Sequence, residues 1–393
     1  MNRRTFQILI FFSLLFSVFH NKNLSAQEYT KIVSGVEHAK FVRQIKNEPI
    51  VVNLLRLDLT KVRLDVVHAM DAAIGLETTS SIAARYGATA AINAGFFRLD
   101  KSIFAGDAAG VLQIDGKFFS ESHPGRVALR ISNERNKTEI EFTKQNIVQA
   151  LRVGTHDWEG SGINRERQTD ELILFTPEFH RTTLTNNNGL EVIVENKKIV
   201  WIADGKGSHQ IPGNGFVLSA SGTAREKLLG QIKIGETVSV GTRLYPFKSG
   251  NRDETKKPLS QCVECDMVGG VPQLIRNGKI EITWEQEKAG KSFVETRHPR
   301  TAVAKLKDGK FLMVTVDGRQ PGTSVGVNLQ ELAEMLLEFS AIDAMNLDGG
   351  GSTTMFVGGK VINQPSDKEG ERKVSDAILV FPRQTLTQAL PKK

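Results

Sequence analysis

Apolar residues in this chain gather in short runs separated by turn signals, and few of them recur at helical spacing. Ala90-Ala91-Ile92, Phe311–Val316, Ala341–Met345 and Thr353–Val357 each read as a buried strand. Asp115-Gly116-Lys117, Asn277-Gly278-Lys279, Asp308-Gly309-Lys310 and Gly358-Gly359-Lys360 each lie between such runs, which predicts at least four β-hairpins with tight turns. Two helices stand out. Ser80 to Tyr86 follows the capping residues Thr78 and Thr79 and is closed by Gly87, while Leu329 to Phe339 has Asn328 as cap and Glu331 to complete a capping box. In the second helix Leu329, Leu332, Leu336 and Phe339 share one face, the pattern of a helix packed on a core. The expected fold class is α+β: a β-rich mixed domain of antiparallel hairpins with a few packed helices.

Composition leaves room for a real core, since 40% of the 393 residues are hydrophobic. From Asn164 to Phe247 the chain turns polar and rich in short strands and turns, so residues 164–247 read as an inserted β-rich segment or subdomain. Gly250 to Lys257 reads as a hydrophilic loop leading back to apolar sequence at Met267. No internal repeat or low-complexity tract is present.

The first residues carry the three regions of a secretory signal peptide: Arg3 and Arg4, an apolar run from Phe6 to Phe19, and the small-residue end Leu24-Ser25-Ala26. Cleavage is expected after Ala26, leaving an exported protein of residues 27–393, periplasmic or extracellular, with no stable membrane insertion. Loss of Arg3, Arg4 and Lys22 lowers the formal net charge from +7 to +4, and the remaining basic residues are spread among acids, so no nucleic-acid partner is expected. The two cysteines, Cys262 and Cys265, suit a small-loop disulfide in an exported protein, or two idle thiols.

Candidate chemistry concentrates at strand ends. Asn346-Leu347-Asp348-Gly349-Gly350-Gly351-Ser352 sets a carboxylate beside three residues without side chains, so backbone N–H groups and the side chains of Asn346, Asp348 and Ser352 could converge on one polar ligand. Ala90–Phe97 ends in Asn93, an amide suited to a sugar hydroxyl, followed by the aromatics Phe96 and Phe97. Glu264 and Asp266 precede the glycine-rich entry Gly269-Gly270-Val271-Pro272. Arg297-His298-Pro299-Arg300-Thr301 brings two arginines and a histidine before a strand, a set that fits an anionic group. Asp317-Gly318-Arg319 adds another carboxylate and arginine at a strand end, and the N-terminus of the helix at Leu329 offers further ground for an anion.

Together these segments resemble the phosphodiester glycosidase family. The resemblance spans roughly Thr78 to Val380 with the order of motifs kept, and it rests most on Asn346–Ser352. It is echoed in Pro365-Ser366-Asp367 and in Glu371-Arg372-Lys373-Val374-Ser375-Asp376-Ala377. The resemblance implies hydrolysis of a glycosyl phosphodiester, such as an N-acetylglucosamine-1-phosphodiester, at the sugar C1–O bond. Such a reaction passes through an oxocarbenium-like state and expels a phosphomonoester that needs little protonation, so the site needs positive charge more than a strong acid. The candidate catalytic carboxylates are Asp348, Asp317 and Glu264. The candidate substrate-binding residues are Asn93, Gly270, His298, Arg300, Thr301, Arg319, Asn346, Gly349, Gly350 and Ser352. Asp348 with backbone carbonyls could hold calcium or magnesium, but no dense acidic loop accompanies it and no cofactor is expected. Two other readings use the same residues: a glycoside hydrolase acting on an acidic glycan, and a non-catalytic envelope protein that binds carbohydrate.

Overall fold

The computed structural model of the protein describes residues 28–248, 251–252, 262 and 264–383. The expected leader therefore lies outside the described residues, as does the Gly250–Lys257 loop except Asn251 and Arg252, which pair with the end of strand Val238–Lys248. The fold is strand-rich and largely antiparallel, as the run pattern predicts. A main sheet takes its strands in the order Thr30–Val33, Val36–Ile45, Glu48–Leu57, Phe311–Val316, Arg300–Leu306, Ala341–Asn346, Gln273–Arg276 and Lys279–Ile280. A second sheet is built around the long strand Thr138–Val153 and includes Cys265–Gly269. A third, of five strands, carries Ala90–Asn93 between Met355–Val357 and Asp376–Pro382.

Central strands of the main sheet are buried on both faces, which is why they read as continuous apolar runs. In Phe311–Val316, Phe311 and Met313 enter a core shared with the other sheets, whereas Leu312, Val314 and Val316 pack under the helix Leu329–Glu338. That helix has the expected capping box, and Leu329, Leu332 and Leu336 are fully buried. The other expected helix forms over Thr79–Tyr86, with Thr78 capping the Ser81 N–H and Gly87 left-handed at its end. All four expected hairpins are present. The Asp115-Gly116 turn, for one, joins Ile114 to Lys117 with both central residues at positive φ.

The residues of the 164–247 segment divide between two sheets. Leu172–Phe175, Leu190–Glu195, Lys198–Asp204 and Gly215–Ala220 join Gly162–Ile163 in a separate five-stranded sheet, while Val238–Lys248 pairs along Thr138–Val153. Cys262 and Cys265 form a disulfide at the start of strand Cys265–Gly269. Among the described residues, no helix is long and apolar enough to cross a membrane.

Candidate active site

Strand ends from three sheets meet at the glycine loop. The Asp348 N–H donates to the Ala94 carbonyl (2.9 Å), the Leu347 N–H to Thr301 (2.9 Å), the Gly350 N–H to Pro299 (2.9 Å), and the Val271 N–H to Asn346 (3.0 Å). The loop sits so close to its neighbours that a Cβ on Gly349 would stand 2.8 Å from the Pro299 carbonyl oxygen. Gly350 has φ +61° and faces the Arg319 guanidinium, where a Cβ would come 3.0 Å from its terminal nitrogen.

Asp348 stands half-buried in this loop, its Oδ1 accepting the Gly349 N–H (2.9 Å). Burial pushes its carboxyl up to about 6, against the pull of Ser352, the Gly349 N–H and the Arg372 guanidinium. Arg319 lies exposed above Gly350, and among the described residues no carboxylate pairs with it. Its terminal nitrogen is 3.4 Å from His298 Nδ1. A guanidinium only donates, so Nδ1 accepts and the His298 proton sits on Nε2. Burial, together with Arg300 and Arg319, lowers the His298 pKa and favours that neutral ring. An arginine with no described carboxylate partner and a neutral histidine thus offer N–H donors over Gly350, two residues along the loop from a carboxyl whose pKa is about 6. Phe96 packs edge-to-face with Phe293 (6.0 Å between ring centres) on the adjoining wall. On the loop's other side Arg372 is held by a bidentate pair with Asp367 (2.7 and 3.0 Å), both against Gly351.

Several residues expected to meet substrate instead brace the loop. Asn93 is fully buried: its Nδ2 donates to the Asp348 carbonyl (2.7 Å), and its Oδ1 accepts from the Thr301 hydroxyl (2.8 Å) and the Thr354 N–H (3.1 Å). Neither Asn93 nor Thr301 is available to a sugar hydroxyl. Arg300 is 1% exposed, and its guanidinium donates to the Val327, Phe293 and Thr296 carbonyls while packing over the Phe293 ring (4.8 Å), so it is a strut and not a phosphate clamp. Asp317 is also buried. Its carboxylate accepts from the Asn363 amide (3.0 Å) and the Gln364 N–H (3.1 and 3.2 Å), and Asn363 passes the support on to Thr353 and Met355. It fixes the far end of the glycine loop and does not face substrate.

Glu264 is exposed and lies beside the disulfide, at the opposite end of strand Cys265–Gly269 from Gly270. Six residues of extended chain put about 20 Å between it and Gly270, which removes it from the site. Gly270 itself packs on the Asn346 carbonyl, where a Cβ would come within 2.5 Å. Asn346 donates to the Val271 and Leu347 carbonyls (2.8 Å each), and its Oδ1 is buried with no partner among the described residues, while the buried Ser352 hydroxyl lies toward the Asp348 carboxyl, whose pKa it lowers. The helix N-terminus at Leu329 is no anion site either, because Asn328 and Glu331 cap it and Glu331 also pairs with Arg297.

Sequence reading assigned no role to Asn363, Phe293 or Asp376. Asp376 lies behind the site, its Oδ1 accepting the Gly95 N–H at 2.5 Å. Asn93 is the most heavily connected brace. Asn93→Ala is expected to lower unfolding free energy by about 2–4 kcal/mol, because it strands a carbonyl, a hydroxyl and an N–H in a buried place. Urea titration monitored by circular dichroism reads this directly, and an unchanged midpoint would mean the loop does not depend on Asn93.

The sequence model of the phosphodiester glycosidase family matches residues 188–381, which include His298, Arg319, Asp348 and Arg372. Residues 188–381 match a phosphodiester glycosidase domain. It is similar to bovine N-acetylglucosamine-1-phosphodiester alpha-N-acetylglucosaminidase, 37% identical over 123 residues that make up 29% of this chain and 22% of the bovine protein. It is also similar to the mouse protein of the same name, 29% identical over 184 residues, 44% of this chain and 33% of that one. The chain thus spans a third or less of the length of these relatives. A crystal structure of a Burkholderia pseudomallei protein shares the fold of the domain with a TM-score of 0.74, at 24% identity, over 86% of this chain and 74% of the other.

Proposed function

We propose that the protein is an exported hydrolase that cleaves the sugar C1–O bond of a glycosyl phosphodiester and releases the sugar and a phosphomonoester. The observation that carries this reading is the half-buried Asp348 carboxyl, with a pKa of about 6, in the same glycine loop whose Gly350 lies against Arg319, a guanidinium without a carboxylate partner among the described residues that is hydrogen-bonded to the neutral His298. The family match and the curated relatives support the reaction class. The Cys262–Cys265 disulfide and the leader-like N-terminus support export.

In this mechanism the sugar lies with C1 over Asp348 and the phosphodiester against Arg319 and the His298 Nε2–H. As the C1–O bond breaks, its electron pair passes to the phosphate, whose negative charge the guanidinium and imidazole N–H stabilise. Ionised Asp348 then either bonds to C1 or takes a proton from the water that attacks C1; in both cases the water oxygen ends on the sugar. Asn93, Thr301, Asp317 and Arg300 hold the loop in place for this step.

The test is release of N-acetylglucosamine from an N-acetylglucosamine-1-phosphodiester, beside the matching uncharged glycoside, each with and without chelator and added calcium. Selective release from the phosphodiester supports the proposal. Cleavage of the uncharged glycoside alone, or binding without turnover of any glycosyl phosphodiester, would refute it.

A further inference from the structure

Successive residues of the glycine loop each carry a guanidinium: Arg319 lies against Gly350, and Arg372 against Gly351. Gly351 has no room for a Cβ, which would run into a terminal nitrogen of Arg372 and the Oδ1 of Asp367. Both halves of the Arg372–Asp367 pair therefore rest on a residue three positions after Asp348. The tight turn Gly350–Ser352 curls this part of the loop, with the Ser352 N–H donating to the Gly349 carbonyl (3.1 Å) and the Ser352 hydroxyl turned toward the Asp348 carboxyl.

The segment that delivers Arg372 is tied down on both sides. Asn363 and Gln364 are bonded to Asp317. Glu371 accepts the Ser80 N–H (2.7 Å) and hydroxyl (2.5 Å) at the first turn of the helix Thr79–Tyr86, and Lys373–Val374 pairs with Glu77–Thr78. Between these anchors the Gly370 N–H donates to the Asp367 carbonyl (3.0 Å), closing a turn that presents the Asp367 carboxylate to Arg372. The two side chains are only 26% and 27% exposed, so water screens the guanidinium incompletely. Its charge bears on Asp348 and favours the carboxylate, whereas burial and Asp376, on strand Asp376–Pro382, favour the acid. The other charged groups around the loop are Arg319 and His298 over Gly350, His68 beside Asp376, and Arg300 and Asp317, both spent on bonds to backbone and amide groups.

We propose that Arg372, seated on Gly351 by Asp367, is a positioning residue for hydrolysis, whose charge keeps the Asp348 carboxyl in the ionised form that the reaction uses. This rests on the proposed function, which makes ionised Asp348 the nucleophile or the base. The two arginines then divide the work: Arg319, without a described carboxylate partner, meets the departing phosphate, and Arg372, already paired, acts on substrate only through Asp348. Gly351 serves this arrangement by leaving space for the pair, as Gly350 leaves space for Arg319.

Titration of the Asp348 carboxyl by carbon-13 NMR, with its resonance identified by its loss in Asp348→Asn, tests this without any substrate. The midpoint should rise by about 0.5 pH unit or more in Arg372→Gln and stay close to wild type in Arg372→Lys, which keeps the charge. Gly351→Ala retains every charge but displaces the pair, so it should raise the midpoint too, and it carries the test if thermal melts show that Arg372→Gln does not fold. In hydrolysis of an N-acetylglucosamine-1-phosphodiester, the acidic limb of the kcat/KM profile should move with the midpoint. Arg372→Gln should then lose about threefold at pH 5 and almost nothing at pH 8. An unmoved midpoint in folded Arg372→Gln or Gly351→Ala, or an equal loss of rate at both pH values, would overturn the proposal and leave Arg372 a brace of the loop. Shifted midpoints in a protein that turns over no glycosyl phosphodiester would count against the hydrolase reading and leave the action of Arg372 on Asp348 standing.

Discussion

Asp348→Asn is expected to abolish turnover and at the same time make the protein more stable above neutral pH. The two effects share one cause. Burial raises the Asp348 pKa in the folded chain from 3.8 to about 6. An acid whose folded pKa is raised opposes folding once it ionises, so the penalty is absent when both states are protonated, grows as pH rises from about 4, and is complete above about 6. The difference corresponds to at most about 3 kcal/mol at pH 8. Asparagine keeps the shape and can still accept the Gly349 N–H, but it carries no charge to desolvate and cannot serve as nucleophile or base. Activity should fall by about 10³-fold or more, the scale of losing one preorganised charged group. Unfolding midpoints of wild type and variant should nearly coincide at pH 4 and separate at pH 8, with the variant higher. The wild-type rate should rise through pH 6 as Asp348 ionises. A variant that is inactive and also destabilised at pH 8 would show that Asp348 is a structural group.

How much of this was legible in the sequence depends on the kind of feature. Strands, glycine hairpins and both capped helices are local, and their signals lie within a few residues of one another. Turns at Lys46-Asn47 and Asn196-Lys197 pass unnoticed because their left-handed residues are not glycines. The helix Gly222–Leu229 hides for another reason: it buries only Leu228 and so shows no apolar stripe. The site was legible as a set of segments but not as a set of roles. Asn93, Arg300 and Asp317 each carry the donors or acceptors a ligand would want, yet backbone groups far along the chain already occupy them. Side-chain type announces hydrogen-bonding capacity; only the fold shows whether the capacity is already filled. Arg319 and His298 differ because the structure leaves them donors that no described carboxylate satisfies.

Arg319 combines that unfilled capacity with backbone strain, and the combination gives the second large expected effect. Its φ of +61° lies in the left-handed region, which a residue with a Cβ enters at a cost of about 1–2 kcal/mol. Strain held at a strand end, with the guanidinium delivered over Gly350, is the pattern of a residue kept for its chemistry. Arg319→Ala removes the charge and keeps the strain; Arg319→Gly removes both. Both should lose about 10²–10³-fold in kcat/KM on a glycosyl phosphodiester, since each takes away charge stabilisation of the departing phosphate. Only the glycine variant should gain stability, by about 1 kcal/mol over the alanine variant, after its extra chain entropy in the unfolded state is subtracted. Equal stabilities would mean the left-handed turn is no burden to arginine, and retained activity in either variant would move the phosphate away from Arg319. Arg319→Lys completes the series, because it keeps the charge but not the planar fork. Recovery by lysine would show that the site needs positive charge alone, and failure of lysine would show that it needs two N–H groups held in one plane.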